Sequence, residues 1–137
     1  MIVADTGAIL ALLDSGDRYH RALREVYERD PDAWVLPWAI LPEVDYLAAA
    51  HLGPGARDGW LRDLAIGAFA VEWGRTGDLR DAERLHRRHR SLGLGLVDAT
   101  VIAVAERLRA DAIATLDLKH FGAVSIKGRP RLLPRDA

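Results

Sequence analysis

Four acidic residues stand where a carboxylate could do chemistry rather than only face solvent. Asp5 ends the apolar stretch IVA at residues 2–4, and Asp117 follows a second stretch, IATL, at residues 113–116. Glu43 and Asp98 lie in segments whose apolar residues recur with helical spacing. Carboxylate oxygens in such a group suit a hard divalent cation, Mg²⁺ or Mn²⁺. The candidate catalytic and metal-binding residues are therefore Asp5, Glu43, Asp98 and Asp117.

Each of these acids also has an ordinary structural interpretation. Asp5 and Asp98 could cap the helices that follow them, because aspartate is a preferred N-cap residue. Asp117 could be a turn residue, and Glu43 could lie at the margin of an apolar helix face with its carboxylate in solvent. The four interpretations are plausible separately, but their coincidence favours one shared site.

The elements that must position these acids alternate between strands and helices. Such alternation predicts an α/β fold in which a central parallel sheet is covered on both faces. Ligands of such folds bind beyond the carboxyl ends of the strands, where Asp5 and Asp117 are expected. The predicted strands span 2–5, 34–36, 68–72, 112–115 and 131–133, and the predicted helices span 7–13, a segment after Asp17, 38–51, 56–66, 76–90 and 97–109.

Composition and missing motifs exclude several other classes of protein. The chain has 137 residues, half of them hydrophobic and 28% charged, which predicts a single domain over 1–137 with an ordinary core. It has no cysteine, so disulfides and thiolate chemistry are excluded, and its five histidines lack zinc-site spacing. No nucleotide-binding glycine motif and no G-x-S-x-G elbow occurs. With neither a leader-like start nor a membrane-length apolar run, a cytoplasmic protein is expected.

Several stretches resemble the PIN-domain ribonucleases, and among them the small VapC toxins of bacterial toxin–antitoxin pairs. The stretches are IVADTGAILALLD at the start, LPEVDYL around Glu43, LGLVDATVIAVAERL around Asp98 and IATLDLKHF around Asp117. Carried over by position, the four acids form the acidic quartet, with Thr6 beside the first acid and Thr115 as a supporting hydroxyl. The resemblance implies a three-layer α/β/α fold, Mg²⁺ dependence, a homodimer and inhibition by a cognate VapB-type antitoxin.

The chemistry expected from such a site is metal-assisted hydrolysis of an RNA phosphodiester. A bound Mg²⁺ lowers the pKa of water and neutralises charge on the leaving oxygen, so the protein needs no nucleophile of its own. Because an acidic site repels RNA, basic residues should lie beside it. Residues 1–68 carry a net charge of −5 and residues 69–137 carry +4. The candidate phosphate-binding residues are Arg84, Arg87, Arg88, Arg90 and Lys119; a solvated helix face is the alternative.

Two other functions remain open from the sequence. An RNA-binding module could block translation without cutting, although the complete acidic quartet argues against it. A Mg²⁺-dependent phosphatase could use Asp5 as its nucleophile, but that chemistry needs a second aspartate two residues later. Gly7 occupies that position, which makes the phosphatase less favoured.

Overall fold

A five-stranded, fully parallel sheet forms the centre of the computed structural model, which describes residues 1–137. The strand order is β3-β2-β1-β4-β5, so β1 is central and pairs with β2 and β4. Val3 lies opposite Val35 on one side and Ile113 on the other, and all three are buried. The strands are β1 Ile2–Ala4, β2 Trp34–Pro37, β3 Ala70–Glu72, β4 Ala112–Ala114 and β5 Arg131–Leu133.

Helices connect the strands and cover both faces of the sheet. Helices α1 to α4 pack in sequence on one face, and α5, α6 and α7 lie on the other, as right-handed crossovers require. The predicted three-layer α/β/α architecture is confirmed. The helices are α1 Thr6–Leu13, α2 His20–Arg29, α3 Leu41–Leu52, α4 Pro54–Ala65, α5 Thr76–Arg88, α6 Gly95–Leu108 and α7 Leu118–Phe121, with short 3-10 turns at Pro31–Ala33, Trp38–Ile40 and Arg90–Leu92.

Helix α6 has the longest unbroken run of buried residues of any helix in the fold. Every residue from Ala99 to Ala105 is buried, because the sheet covers one side of the helix and α5 packs against another. The helix begins at Gly95, two residues earlier than the periodicity predicts. Asp98 therefore lies inside the first turn of α6. The N-cap residue is Leu94 and not Asp98, which the sequence analysis considered for that position. The capping interpretation of Asp98 is wrong.

An ionic network joins the far end of α6 to the sheet edge and to α5. The guanidinium of Arg107 donates to both carboxylate oxygens of Asp78, at 2.7 and 2.9 Å, and to Glu72 at 2.7 Å. Asp78 is only 1% exposed, and it also accepts the backbone N–H of Arg75. Burial opposes ionisation of Asp78, but the hydrogen bonds from Arg107 and Arg75 and the positive charges of both residues together outweigh it and lower the pKa of the carboxyl. The network fixes α6 at the end opposite Asp98.

None of the helices is both long and apolar enough to span a bilayer.

Candidate active site

The strand order reverses between β1 and β4, and the acidic residues gather at that point. The chain leaves β1 toward β2 on one side, whereas β4 leads to β5 on the other. Crossovers on opposite faces leave a crevice beyond the carboxyl ends of the two strands. Asp5 follows β1, and Thr115 and Asp117 follow β4. The backbone N–H of Asp5 donates to the carbonyl of Ala114 at 2.9 Å, which ties the two strand ends together.

Asp5 is buried at the bottom of this crevice, with 5% of its surface exposed. One carboxylate oxygen accepts the N–H of Thr6 at 2.7 Å, so Asp5 is also the N-cap of α1. The other oxygen accepts the Thr115 hydroxyl at 3.0 Å. Burial raises the pKa of Asp5 to about 7, and the negative charges of Asp98 and Asp117 add to the rise. Capping and membership of the acidic site are therefore compatible at this residue.

Thr115 links the first acid to the last. Its hydroxyl donates to Asp5 and accepts the backbone N–H of Asp117 at 3.0 Å. The Asp117 carboxylate in turn accepts the N–H of His120 at 3.0 Å and caps the short helix α7. Thr115 thus holds the loop after β4 against Asp5 and sets where the Asp117 carboxylate lies.

Asp98 enters the crevice from the first turn of α6. It is partly buried, and burial raises its pKa, with the charges of Asp117 and Glu43 adding to the rise and a His120 hydrogen bond opposing it. Glu43 lies in the first turn of α3, on the opposite face of the sheet. The four acids line one open cleft of about 380 Å³, together with Thr6, Gly7 and three leucines: Leu10, Leu47 and Leu116.

His120 belongs to the same cluster, although its position in the sequence did not single it out. Its Nδ1–H donates to Asp98 at 2.6 Å, and the same nitrogen lies 3.1 Å from a carboxylate oxygen of Asp117. The hydrogen bond to Asp98 raises the pKa of His120, and the charge of Asp117 contributes in the same direction. The available signal was the Asp117-x-x-His120 spacing, which places the two side chains one helical turn apart.

The donor atoms of the cleft fit a cation. Ligand atoms of Asp98, Asp117 and His120 all lie within 4.8 Å of one another. The hydroxyl oxygen of Thr6, on the wall of the cleft, is buried and has no hydrogen-bond partner. A buried polar atom without a partner is uncommon in a folded protein. Carboxylate and hydroxyl oxygens predominate among these donors, which favours a hard divalent ion over a soft one.

The candidate RNA-binding residues lie outside the cleft, and all five are exposed. Two of them form ion pairs within α5, Arg84 with Asp81 at 2.5 Å and Arg87 with Glu83 at 3.5 Å. Lys119 lies in α7, between the two site residues Asp117 and His120. The other two candidates, Arg88 and Arg90, stand at the end of α5 and at the start of the following 3-10 turn.

Comparison with known proteins gives a consistent picture of the family. The family model described as PIN domain matches residues 2–127. Ribonuclease VapC26 of Mycobacterium tuberculosis is 32% identical over 123 residues, which cover 90% of this chain and 91% of that protein. The crystal structure of M. tuberculosis VapC20, a Sarcin-Ricin loop cleaving toxin, superposes with a TM-score of 0.82 at 21% identity. That superposition covers 93% of this chain and 98% of the other and establishes the fold. The chain therefore belongs to the PIN-domain family, within which it is similar to the VapC ribonucleases.

Proposed function

We propose that this protein is a metal-dependent endoribonuclease that hydrolyses RNA phosphodiester bonds, with Mg²⁺ as its ion and Mn²⁺ as a substitute. One observation carries the proposal: four carboxylates from four separate parts of the fold line one open cleft at the switch point of the sheet. Gathering like charges in this way costs free energy, which a bound cation offsets. The name of the VapC26 relative supports ribonuclease as the activity.

Each residue of the cleft has a distinct task under this proposal. Asp5, Asp98 and Asp117 hold the ion, and Glu43 completes the acidic lining from the other face of the sheet. When bound, Mg²⁺ activates water and neutralises charge that develops on the leaving oxygen. Thr115 fixes the orientation of Asp5 and Asp117 through its two hydrogen bonds. Thr6 offers its unpartnered hydroxyl to a water or to a ligand of the ion.

His120 holds the place between Asp98 and Asp117 in the metal-free protein. Its Nδ1–H supplies positive charge to both carboxylates there. A bound cation would supply positive charge there in place of His120, and the imidazole would then be available to hydrogen-bond a phosphate oxygen or a water. The side chain therefore keeps the two carboxylates close together in the protein without metal.

Cleavage of purified RNA tests the activity. The protein with Mg²⁺ should produce discrete fragments with 5′-phosphate ends, and EDTA should stop the reaction. Asp98→Asn should lower cleavage by at least about a hundredfold, a size typical of losing a group that stabilises charge in the transition state. Asp58→Asn is the matched control, because Asp58 is exposed on α4 and makes no ion pair. Intact RNA that is only shifted in a gel would identify a non-cleaving binder and overturn the proposal.

We further propose that the protein acts as a toxin in the cytoplasm, as a homodimer, and is neutralised by a VapB-type antitoxin. The similarity to VapC ribonucleases supports this role. Induction of the protein alone should arrest bacterial growth, and co-expression of a small protein encoded beside it should restore growth. Induction of Asp98→Asn should leave growth unaffected. Equal toxicity of the variant and the wild type would contradict the catalytic assignment.

A further inference from the structure

A second hollow adjoins the acidic cleft and is lined differently. It encloses about 390 Å³ between the start of α2, the loop after β4 and the end of β5. Leu116 forms part of the wall of both hollows, and Thr115, which donates to Asp5, lines this one as well. The remaining wall is mostly apolar: Tyr19, Ala22, Leu118 and Pro134, with Arg135 at its edge. We call this hollow the Tyr19 slot.

Hydrogen bonds anchor the backbone that carries the aromatic ring of the slot. The backbone N–H of Tyr19 donates to the Asp17 carboxylate at 2.7 Å. The next residue, His20, bonds through Nδ1 to the Ala11 carbonyl at 2.8 Å, which anchors the start of α2 on α1. The guanidinium of Arg18 lies 4.9 Å from the centre of the Tyr19 ring. The slot therefore presents a tyrosine ring on an anchored backbone, with a cation beside it.

We propose that the Tyr19 slot binds one nucleobase of the RNA, next to the phosphodiester that lies in the acidic cleft. This inference rests on the proposed ribonuclease function. Unstacked bases in single-stranded RNA bind to aromatic side chains and arginine planes, because every base has an apolar π-face. The slot supplies both groups, and it shares Leu116 with the cleft in which the backbone would be cut.

Charge around the slot favours RNA over an apolar peptide side chain as the occupant. Arg18 is exposed at the ring, and Lys119 is exposed next to Leu118. Arg135 pairs with Asp136, so that pair adds no net charge. Two free cations beside a cleft of four carboxylates give the backbone phosphates of a bound strand a place outside the cleft. A protein partner inserting an apolar side chain would not need them.

The test pairs variants of the slot with RNA hexamers that lack a base at one position at a time. Wild-type protein with Mg²⁺ should cleave one such abasic RNA about tenfold less efficiently than the intact RNA, because stacking on one aromatic ring is lost. Tyr19→Ala should lose about tenfold on intact RNA, mainly through KM, and nothing further on that abasic RNA. Tyr19→Phe should retain wild-type cleavage. Trp73→Ala is the control, because Trp73 is 74% exposed beyond the opposite edge of the sheet.

A second variant makes the test independent of Tyr19. Ala22 is exposed on α2 and lines the slot, so Ala22→Phe should fill the hollow without disturbing the core and should mimic the loss of the base. Equal losses on intact and abasic RNA, or unchanged cleavage by Tyr19→Ala, would overturn the subsite while leaving the ribonuclease intact. If these variants weaken only the binding of a protein partner, the slot is a protein-docking site and the inference is wrong. Failure of the wild type to cleave any RNA would instead refute the proposed function, and the subsite with it.

Discussion

At the residue scale, two sets of interactions have opposite effects on the ionisation of Asp5. Hydrogen bonds from Thr6 and Thr115 favour its charged form, whereas burial and the neighbouring charges of Asp98 and Asp117 favour the neutral form. The second effect is larger, and it raises the pKa of Asp5 to about 7. The metal-free cleft therefore lowers stability near neutral pH, and the cation proposed for the cleft would remove that cost.

The first prediction concerns the pH dependence of stability without metal. Between the usual Asp value of 3.8 and the raised pKa of about 7, folded Asp5 keeps a proton that the unfolded chain has released. Stability should therefore fall as pH rises through this range, by at most about 4 kcal/mol. The pKa values of Asp98 and His120 are also raised, so both add a loss in the same direction. In EDTA, the melting temperature should be higher at pH 5.5 than at pH 8.

A single substitution isolates the contribution of Asp5 to this pH dependence of stability. Asn keeps the shape of the side chain and can still cap α1, but it carries no charge. Asp5→Asn should raise the melting temperature in EDTA most at pH 8, less at pH 5.5 and hardly at all near pH 4, where unfolded Asp5 also keeps its proton, and it should abolish RNA cleavage. Asp58→Asn, the exposed control on α4, should change neither property. A lower melting temperature of Asp5→Asn at pH 8 would mean that the carboxylate acts only as a cap.

Metal binding should offset the loss of stability that the ionised acids of the cleft cause at high pH. Ligands that bind only the folded state stabilise it by mass action, so millimolar Mg²⁺ should raise the melting temperature of the wild type at pH 8. Mg²⁺ should stabilise Asp98→Asn much less, because the variant lacks one of the proposed ligands. Thermal unfolding with and without Mg²⁺ measures both shifts. Equal shifts in the two proteins would place the ion outside the cleft.

At the element scale, the start of α6 is capped from another helix. Leu94 at the N-cap offers no side-chain acceptor, and the N–H of Gly95 instead donates to Nδ1 of His86 on α5 at 3.0 Å. Gly95 has a φ of +74°, a conformation that side-chain-bearing residues rarely adopt. Glycine at this position, which a bulkier residue could not replace without strain, sets the direction from which Asp98 enters the cleft.

Replacing His86, which caps α6, should therefore affect both the stability of the protein and the position of Asp98 in the cleft. His86→Leu removes the acceptor and should lower stability by about 1 kcal/mol, the usual net worth of a hydrogen bond. His86→Asn keeps an acceptor at a similar distance from the backbone and should retain most of that stability. Thermal unfolding measures the loss, and the Mg²⁺-induced shift shows whether Asp98 has moved. Identical behaviour of the Leu and Asn variants would show that the cap is not needed.

These elements also show where sequence reasoning succeeds and where it stops. Apolar runs and helical periodicity are local, so they predict the strands and helices and place Asp5 and Asp117 at strand ends. The start of α6 depends on a contact nine residues away, from His86 to Gly95. His120 reaches Asp98 across 22 residues. Nothing in the local pattern specifies either contact, because both arise only after the layers have packed.

At the scale of the whole molecule, charge is divided between the cleft and its surroundings. The cleft concentrates four carboxylates, whereas residues 69–137 carry a net charge of +4. Some arginines among residues 69–137 are already paired and so are less available to bind RNA phosphates. Arg84 and Arg87 form ion pairs with acids one turn earlier on α5. Arg88 and Arg90 are exposed where α5 ends, before the turn that leads to α6 and Asp98. We therefore expect these two arginines to dominate binding of the phosphates.

The salt dependence of RNA affinity tests this division of charge. Each phosphate contact on a single strand adds about 0.7 to the slope of log affinity against log salt, because binding releases counterions. Replacing Arg88 and Arg90 together by alanine should flatten that slope by roughly 1.4, whereas replacing Arg84 and Arg87 should flatten it less. Arg24→Ala, which removes an arginine paired with Glu28 on α2, should leave it unchanged. The measurement uses an Asp98→Asn background so that the RNA stays intact. An unchanged slope after loss of Arg88 and Arg90 would mean that both side chains belong to a solvated surface and that RNA phosphates are bound elsewhere.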